Sequence, residues 1–158
     1  MIVGDPGDGR GLRIAIAAAR FNDRITSRLL AGAFGALESA GVRAADLAVA
    51  FVPGAFELPF VARRFAVSGR YDAVICLGAV VRGGTPHFDY VAGEAARGIA
   101  RASEATGVPV LFGVLTTDNE RQALDRSGGR HGNRGADAAR AAVEMARVAR
   151  GLRGRRRA

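Results

Sequence analysis

The chain has 158 residues, enough for one domain with a real core, and its 49% hydrophobic and 24% charged content is ordinary for a soluble globular protein. All 23 basic residues are arginine, for a net charge of +8, and the absence of lysine excludes a protein Schiff base, a pyridoxal-phosphate lysine and the lysine of a P-loop. One cysteine, Cys76, and two separated histidines, His87 and His131, allow neither an intrachain disulfide nor a zinc cluster, so no metal is expected.

No apolar run approaches the ~20 residues that span a bilayer, and Met1 to Gly11 shows no basic-then-apolar signal pattern. The default address is therefore the cytoplasm, with no membrane partner. Residues 1–11 read as a flexible N-terminal segment, 12–152 as a single domain, and 153–158 as a basic tail. The arginines are scattered from Arg10 to Arg150 apart from that tail, and no aromatic residues interleave with them as in single-strand binders. Nucleic acid is not the expected partner, although the tail could touch an acidic surface.

Leu12 to Ala19 is a near-continuous apolar run, as a parallel strand covered on both faces requires. Arg20-Phe21-Asn22-Asp23 is a loop with capping residues. Ile25, Leu29, Leu30, Ala33, Phe34 and Leu37 then recur at helical spacing until Gly41. Leu47 to Val52 is a second strand, stopped by Pro53-Gly54, and Ala55 to Ala66 a second helix with Glu57 in its opening turn. Ala73 to Val81 is a third, buried strand. Two glycines follow, and Thr85-Pro86 reads as N-cap and N1 of a helix that runs to about Thr106. Val110 to Leu115 is a fourth strand. Thr116-Thr117-Asp118 is a capping cluster for a short helix ending near Arg126. Ser127 to Gly132 is a glycine-rich loop, and Asn133 to Leu152 an alanine-rich helix.

Strand and helix alternate four times, which predicts a three-layer α/β/α fold of flavodoxin-like type. Its four-stranded parallel sheet carries helices on both faces. Ligands in such sheets bind beyond the carboxyl ends of the strands. Phe21-Asn22, Pro53 to Glu57 and Val80 to His87 fall there, with Thr116 and Thr117 at the fourth end. Phe21 could stack on a planar ring or cap the core. Glu57 either answers the helix dipole or accepts ligand hydroxyls. Gly83-Gly84-Thr85 could wrap an anion, phosphate foremost, at a helix start. His87, in the same turn, could move protons as part of a site or be an ordinary exposed loop histidine. Arg126, beside the glycine-rich loop, could clamp a phosphate or be solvated surface. Neither glycine-rich dinucleotide signal is in place: Gly7 to Gly11 precedes a strand, and no Gly-x-Gly-x-x-Gly opens a helix.

Arg20-Phe21-Asn22, Pro53-Gly54-Ala55-Phe56-Glu57-Leu58-Pro59, Gly78 to Val91, Gly113 to Thr117 and Asn133-Arg134-Gly135 together resemble the lumazine synthase family. The match runs in order from about Gly11 to Leu152. The resemblance implies condensation of 5-amino-6-(D-ribitylamino)uracil with 3,4-dihydroxy-2-butanone 4-phosphate, the penultimate step of riboflavin synthesis, without a cofactor. It implies that Phe21 stacks on the pyrimidine, that Asn22 is among the substrate-binding residues, and that Ala55, Phe56 and Glu57 line the pyrimidine and ribityl site. Ala79, Val80 and Val81 would touch the pyrimidine edge, and Gly84 and Thr85 would bind the phosphorylated ketone. His87 would move protons.

Phe112 and Arg126 match positions that the family supplies from a neighbouring subunit, with Arg126 on the phosphate. Arg130 stands where some relatives carry lysine. The family forms homo-pentamers, and the short Ser127–Arg134 connection resembles members that build 60-subunit shells. A non-catalytic flavin-binding or shell-forming relative, a nucleotide-binding regulator and a riboflavin synthase of the same fold are the alternatives.

Overall fold

The structure, a computed structural model, describes residues 1–154. Four parallel strands form the central sheet: β1 (Ile14–Ala19), β2 (Leu47–Val52), β3 (Ala73–Val81) and β4 (Val110–Thr117), in the order β2-β1-β3-β4. The helices are α1 (Asp23–Ser39), α2 (Leu58–Val67), α3 (His87–Thr106), α4 (Glu120–Asp125) and α5 (Arg134–Gly154). The expected three-layer architecture is present, with α1 and α5 on one face and α2 and α3 on the other.

The alternation along β1 explains how those layers differ. Ile14 and Ile16 point to the α1/α5 side and meet Leu29, Leu37, Ala139 and Val143, all buried. Ala15 and Ala17 point to the other side, where their small size leaves room for Leu58 and Ala62 of α2. On the first face, α1 and α5 come so close that a Cβ on Gly135 would collide with the Leu29 carbonyl. Glycine at that position is a packing requirement. Cys76 is fully buried among apolar neighbours, and burial pushes its thiol up to about 12.

Several element boundaries differ from the sequence reading. Ala55–Glu57 is a separate 3-10 turn before α2, because Glu57 folds back: the Gly54 N–H donates to Glu57 Oε2 at 2.9 Å. β4 runs on to Thr117, since its register with β3 continues to the pair Val81 and Thr117. The cap of α4 is Asn119, not the Thr116–Asp118 cluster. Its Oδ1 accepts the Gln122 N–H at 2.9 Å, while the Thr117 hydroxyl donates to the Asn119 carbonyl at 3.0 Å.

The glycine-rich loop is a small antiparallel ribbon, β5 (Ser127–Gly129) with β6 (Gly132–Asn133). Asn133 then caps α5 by accepting the Gly135 and Ala136 N–H groups, and its amide donates to the Arg28 carbonyl of α1 at 3.0 Å.

The segment before Leu12, expected to be flexible, packs against α5. Arg147 donates to the carbonyls of Asp8 and Arg10, and Arg150 holds both oxygens of Asp72 at 2.9 and 2.8 Å and the Gly11 carbonyl at 3.0 Å. α5 continues to Gly154, two residues beyond the expected end at Leu152. The remainder of the basic tail, 155–158, lies outside the described residues.

Candidate active site

The sheet order places the change of winding direction between β1 and β3, and a cleft of about 730 Å3 opens beyond the carboxyl ends of β1, β2 and β3. The β1 end contributes Phe21 and Asn22, the β2 end Ala55, Phe56 and Glu57, and the β3 end Ala79, Val80, Val81, Thr85 and His87. Phe88, Tyr90 and Val91 of α3 complete the wall. Three elements distant in sequence thus meet because the strands between them run parallel.

The aromatic groups here are presented to solvent. Phe21 is 71% exposed and Phe56 57%, values that a core-capping role does not produce. Apolar rings held open beside a carboxylate suit a planar ligand with polar substituents. Asn22 sits in the left-handed region, at φ 59° and ψ 46°, and its amide donates to the Ala79 carbonyl at 2.9 Å. That bond fixes the loop carrying Phe21 to the end of β3. Asn22 therefore has a structural reason for its place in the cleft wall, one that sequence alone does not reveal.

Glu57 uses Oε2 on the Gly54 N–H, and Oε1 has no protein partner among the described residues. One carboxylate oxygen is held and the other is left open on a residue that lines the cleft. On the other side, α3 starts at His87, one residue later than expected, and Thr85 does not cap it. Pro86 takes the capping position at φ −69° and ψ 3°, where it has no hydrogen-bonding side chain to offer. The helix opens instead with the Asp89 N–H donating to the Pro86 carbonyl at 3.0 Å. The Gly84, Thr85 and His87 N–H groups have no backbone acceptor among the described residues. Free amides at a helix start are suited to an anion. Thr85 lines the cleft; Gly84 is exposed beside it.

Phe112 and Arg126 do not join this cleft. They line a second one, of about 460 Å3, that runs along the edge strand β4 with Thr116, Thr117, Arg134 and Asp137. Arg126 is half-buried there, with Nη1 donating to the Gln122 carbonyl at 3.2 Å. The two clefts share no residue. The fourth strand end, with Thr116 and Thr117, thus serves a different concavity from the other three. Arg130, exposed at the turn of the β5–β6 ribbon, lines neither. Tyr90 lines the first cleft at 70% exposure, and its position three residues after His87 on the same helix was the available signal for it.

Among the described residues no helix is long and apolar enough to cross a membrane, and no cluster of three or more His, Cys, Asp or Glu side chains could hold a metal ion. An α/β sheet with an aromatic cleft, one open carboxylate, one histidine and an unpaired helix start suits the class of enzyme that brings a planar molecule with polar substituents to an anionic one.

The comparisons narrow that class. Residues 11–150 match the model of the 6,7-dimethyl-8-ribityllumazine synthase family. A protein of that name from Syntrophus aciditrophicus (strain SB) is 58% identical over 136 residues, covering 86% of this chain and 88% of the relative. The chain belongs to the 6,7-dimethyl-8-ribityllumazine synthase family.

Proposed function

We infer that the protein is a transferase that condenses 5-amino-6-(D-ribitylamino)uracil with 3,4-dihydroxy-2-butanone 4-phosphate to 6,7-dimethyl-8-ribityllumazine. This is the penultimate step of riboflavin biosynthesis. The observation that carries the reading is the first cleft, where exposed Phe21 and Phe56, the half-free Glu57 carboxylate and His87 converge in a chain of this family.

In this reading the pyrimidine stacks on Phe21, against Ala55 and Phe56 and along Ala79 to Val81. Glu57 Oε1 accepts hydrogen bonds from ribityl hydroxyls. The phosphate of the second substrate rests on the free N–H groups at Gly84, Thr85 and the start of α3. The imine forms between the substrate's own amine and the ketone, so no protein nucleophile is needed, and the absence of lysine costs the chemistry nothing. The protein's contribution is orientation and proton transfer, with His87 serving imine formation, loss of phosphate and ring closure. No metal or organic cofactor enters the scheme.

Arg126 lines the second cleft, which shares no residue with the first, and it matches a position that the family supplies from a neighbouring subunit. We therefore assign the complete site to two adjacent subunits, one giving His87 and Glu57 and the other giving Phe112 and Arg126. A head-to-tail contact of this kind forms a ring when its rotation closes, and a homo-pentamer is the ring we propose. The short ribbon between α4 and α5 supports further assembly into a shell of 60 subunits. Arg130 on that ribbon is assigned as a charge at the neighbour's site. The cytoplasm is the proposed location, supported by a lone, buried, unpaired cysteine.

The test mixes purified protein with both substrates and follows the fluorescent lumazine product beside a His87→Ala variant. The expected result is turnover well above the uncatalysed background, reduced but not abolished in the variant. A flat trace from folded, assembled protein would overturn the synthase reading in favour of a flavin-binding or shell-building role.

A further inference from the structure

The turn that presents Gly84, Thr85 and His87 has little of its own to hold it. A Cβ on Gly83 or Gly84 would meet nothing within 4 Å, and no side chain caps the first turn of α3. Yet an anion site made of backbone N–H groups works only if those groups keep their direction. One side chain reaches across this gap. Arg82 ends the β3 ladder by donating its N–H to the Thr117 carbonyl at 2.8 Å. Its guanidinium carbon then lies 4.3 Å from the centroid of the Phe88 ring. Nη1 stands 3.7 Å from Asp89 Oδ1, and Nε donates to Asp118 Oδ1 at 3.3 Å.

We propose that Arg82 is a positioning residue that clamps the anion-binding turn, tying the end of β3 and the first turn of α3 to the loop after β4. The proposal rests on the synthase reading for its substrates, but not for its geometry. Each ion pair is exposed and worth little to stability alone. One planar cation shared by a ring and two carboxylates from different elements is a fixed geometry, and that is its use. Lysine would keep the charge without the flat face or the fork. Asp118 also follows Thr117 of the second cleft and precedes α4, whose C-cap is Arg126, so the clamp joins segments that border the two clefts.

Three variants of the full-length assembled protein test this: Arg82→Met, Arg82→Lys and Asp118→Asn. The readouts are amide hydrogen exchange at residues 83–90, inhibition by inorganic phosphate, and separate KM values for the two substrates. Arg82→Met is expected to speed exchange in that segment alone. It should also raise both the KM for the butanone phosphate and the phosphate inhibition constant on the order of tenfold, about what one lost hydrogen bond to a charged group costs. The KM for the pyrimidine should stay within about twofold, since Phe21 and Glu57 lie on other elements. Arg82→Lys should recover only part of the loss.

Asp118→Asn separates a clamp from a direct ligand. It should weaken phosphate inhibition if Arg82 works by holding the turn, because the clamp loses an arm. Tighter phosphate inhibition in Asp118→Asn would mean that a released Arg82 binds the anion itself, and would overturn the proposal. Unchanged exchange at residues 83–90 in Arg82→Met, or equal rises in both KM values, would overturn it too. If the wild type shows no turnover, the synthase reading fails while the exchange and phosphate arms still decide the clamp.

Discussion

Mixing two crippled chains tests the divided site directly. His87 lies in the cleft at the ends of β1, β2 and β3, Arg126 in the cleft along β4, and the two share no lining residue. His87→Ala removes a proton-transfer group, which costs about 10²–10⁴-fold in rate where the group acts as general acid or base. On the proposed reading, Arg126→Ala removes a charge-assisted hydrogen bond to phosphate, worth about 1.5–3 kcal/mol, or roughly one to two decades of kcat/KM. Each variant alone should therefore fall to about a tenth of the wild type or below. If every site takes His87 from one chain and Arg126 from its neighbour, random reassembly of equal amounts leaves about one quarter of sites with both groups, half of one half. The mixed oligomer, made by joint unfolding and refolding, should then recover about a quarter of wild-type turnover, well above either parent. Arg126 also holds the Gln122 carbonyl through Nη1, so its variant needs a melting curve to show that α4 is intact. Recovered activity no greater than the mean of the two parents, in oligomers shown to be mixed, would refute the divided site.

Two further outcomes rest on structure away from both clefts. Asp72 accepts two bonds from Arg150 and the Arg13 N–H at 2.9 Å, so Asp72→Ala should lower stability by about 1–3 kcal/mol in chemical denaturation while leaving kcat unchanged. Cys76, with its thiol raised from 9.0 to about 12, is protonated at neutral pH in the folded chain and should react with iodoacetamide only on unfolding. The sign follows from linkage: its contribution to stability is full below about pH 9 and is lost as the pH rises toward 12, because only the unfolded thiol ionises in that window. Cys76→Ala should flatten that part of the stability–pH curve.

What the sequence made legible was local. Ala73 to Val81 reads as a buried strand because both of its faces are apolar over its whole length, and the structure ends β3 at those same residues. Strand ends and helix starts follow from glycine, proline and capping chemistry, so the first cleft was visible as three loops before any coordinate. Other contacts lay outside any local reading. Asn133 caps a helix while bonding the Arg28 carbonyl, Asn22 turns left-handed while bonding the Ala79 carbonyl, and Arg147 and Arg150 hold the N-terminal segment from the far end of the chain. Each depends on a partner 57 or more positions away, which no window on the sequence contains.

The same limit bears on the site itself. Phe112 alternates within a strand like any core residue, and in a chain considered alone its 45% exposure on β4 is an unexplained cost. It becomes intelligible once β4 is recognised as an edge strand. An edge with an exposed ring and a half-buried arginine beside it exposes apolar surface that a monomer would cover. The first cleft has the opposite lack: among the described residues it is lined by a histidine and a carboxylate but by no arginine, and Arg82 at its border is already shared between Asp89 and Asp118. One surface has a cation without the reacting groups and the other has reacting groups without a free cation. In the divided site proposed above, a second copy of the chain supplies both at once, and assembly is then part of the chemistry as well as of the fold.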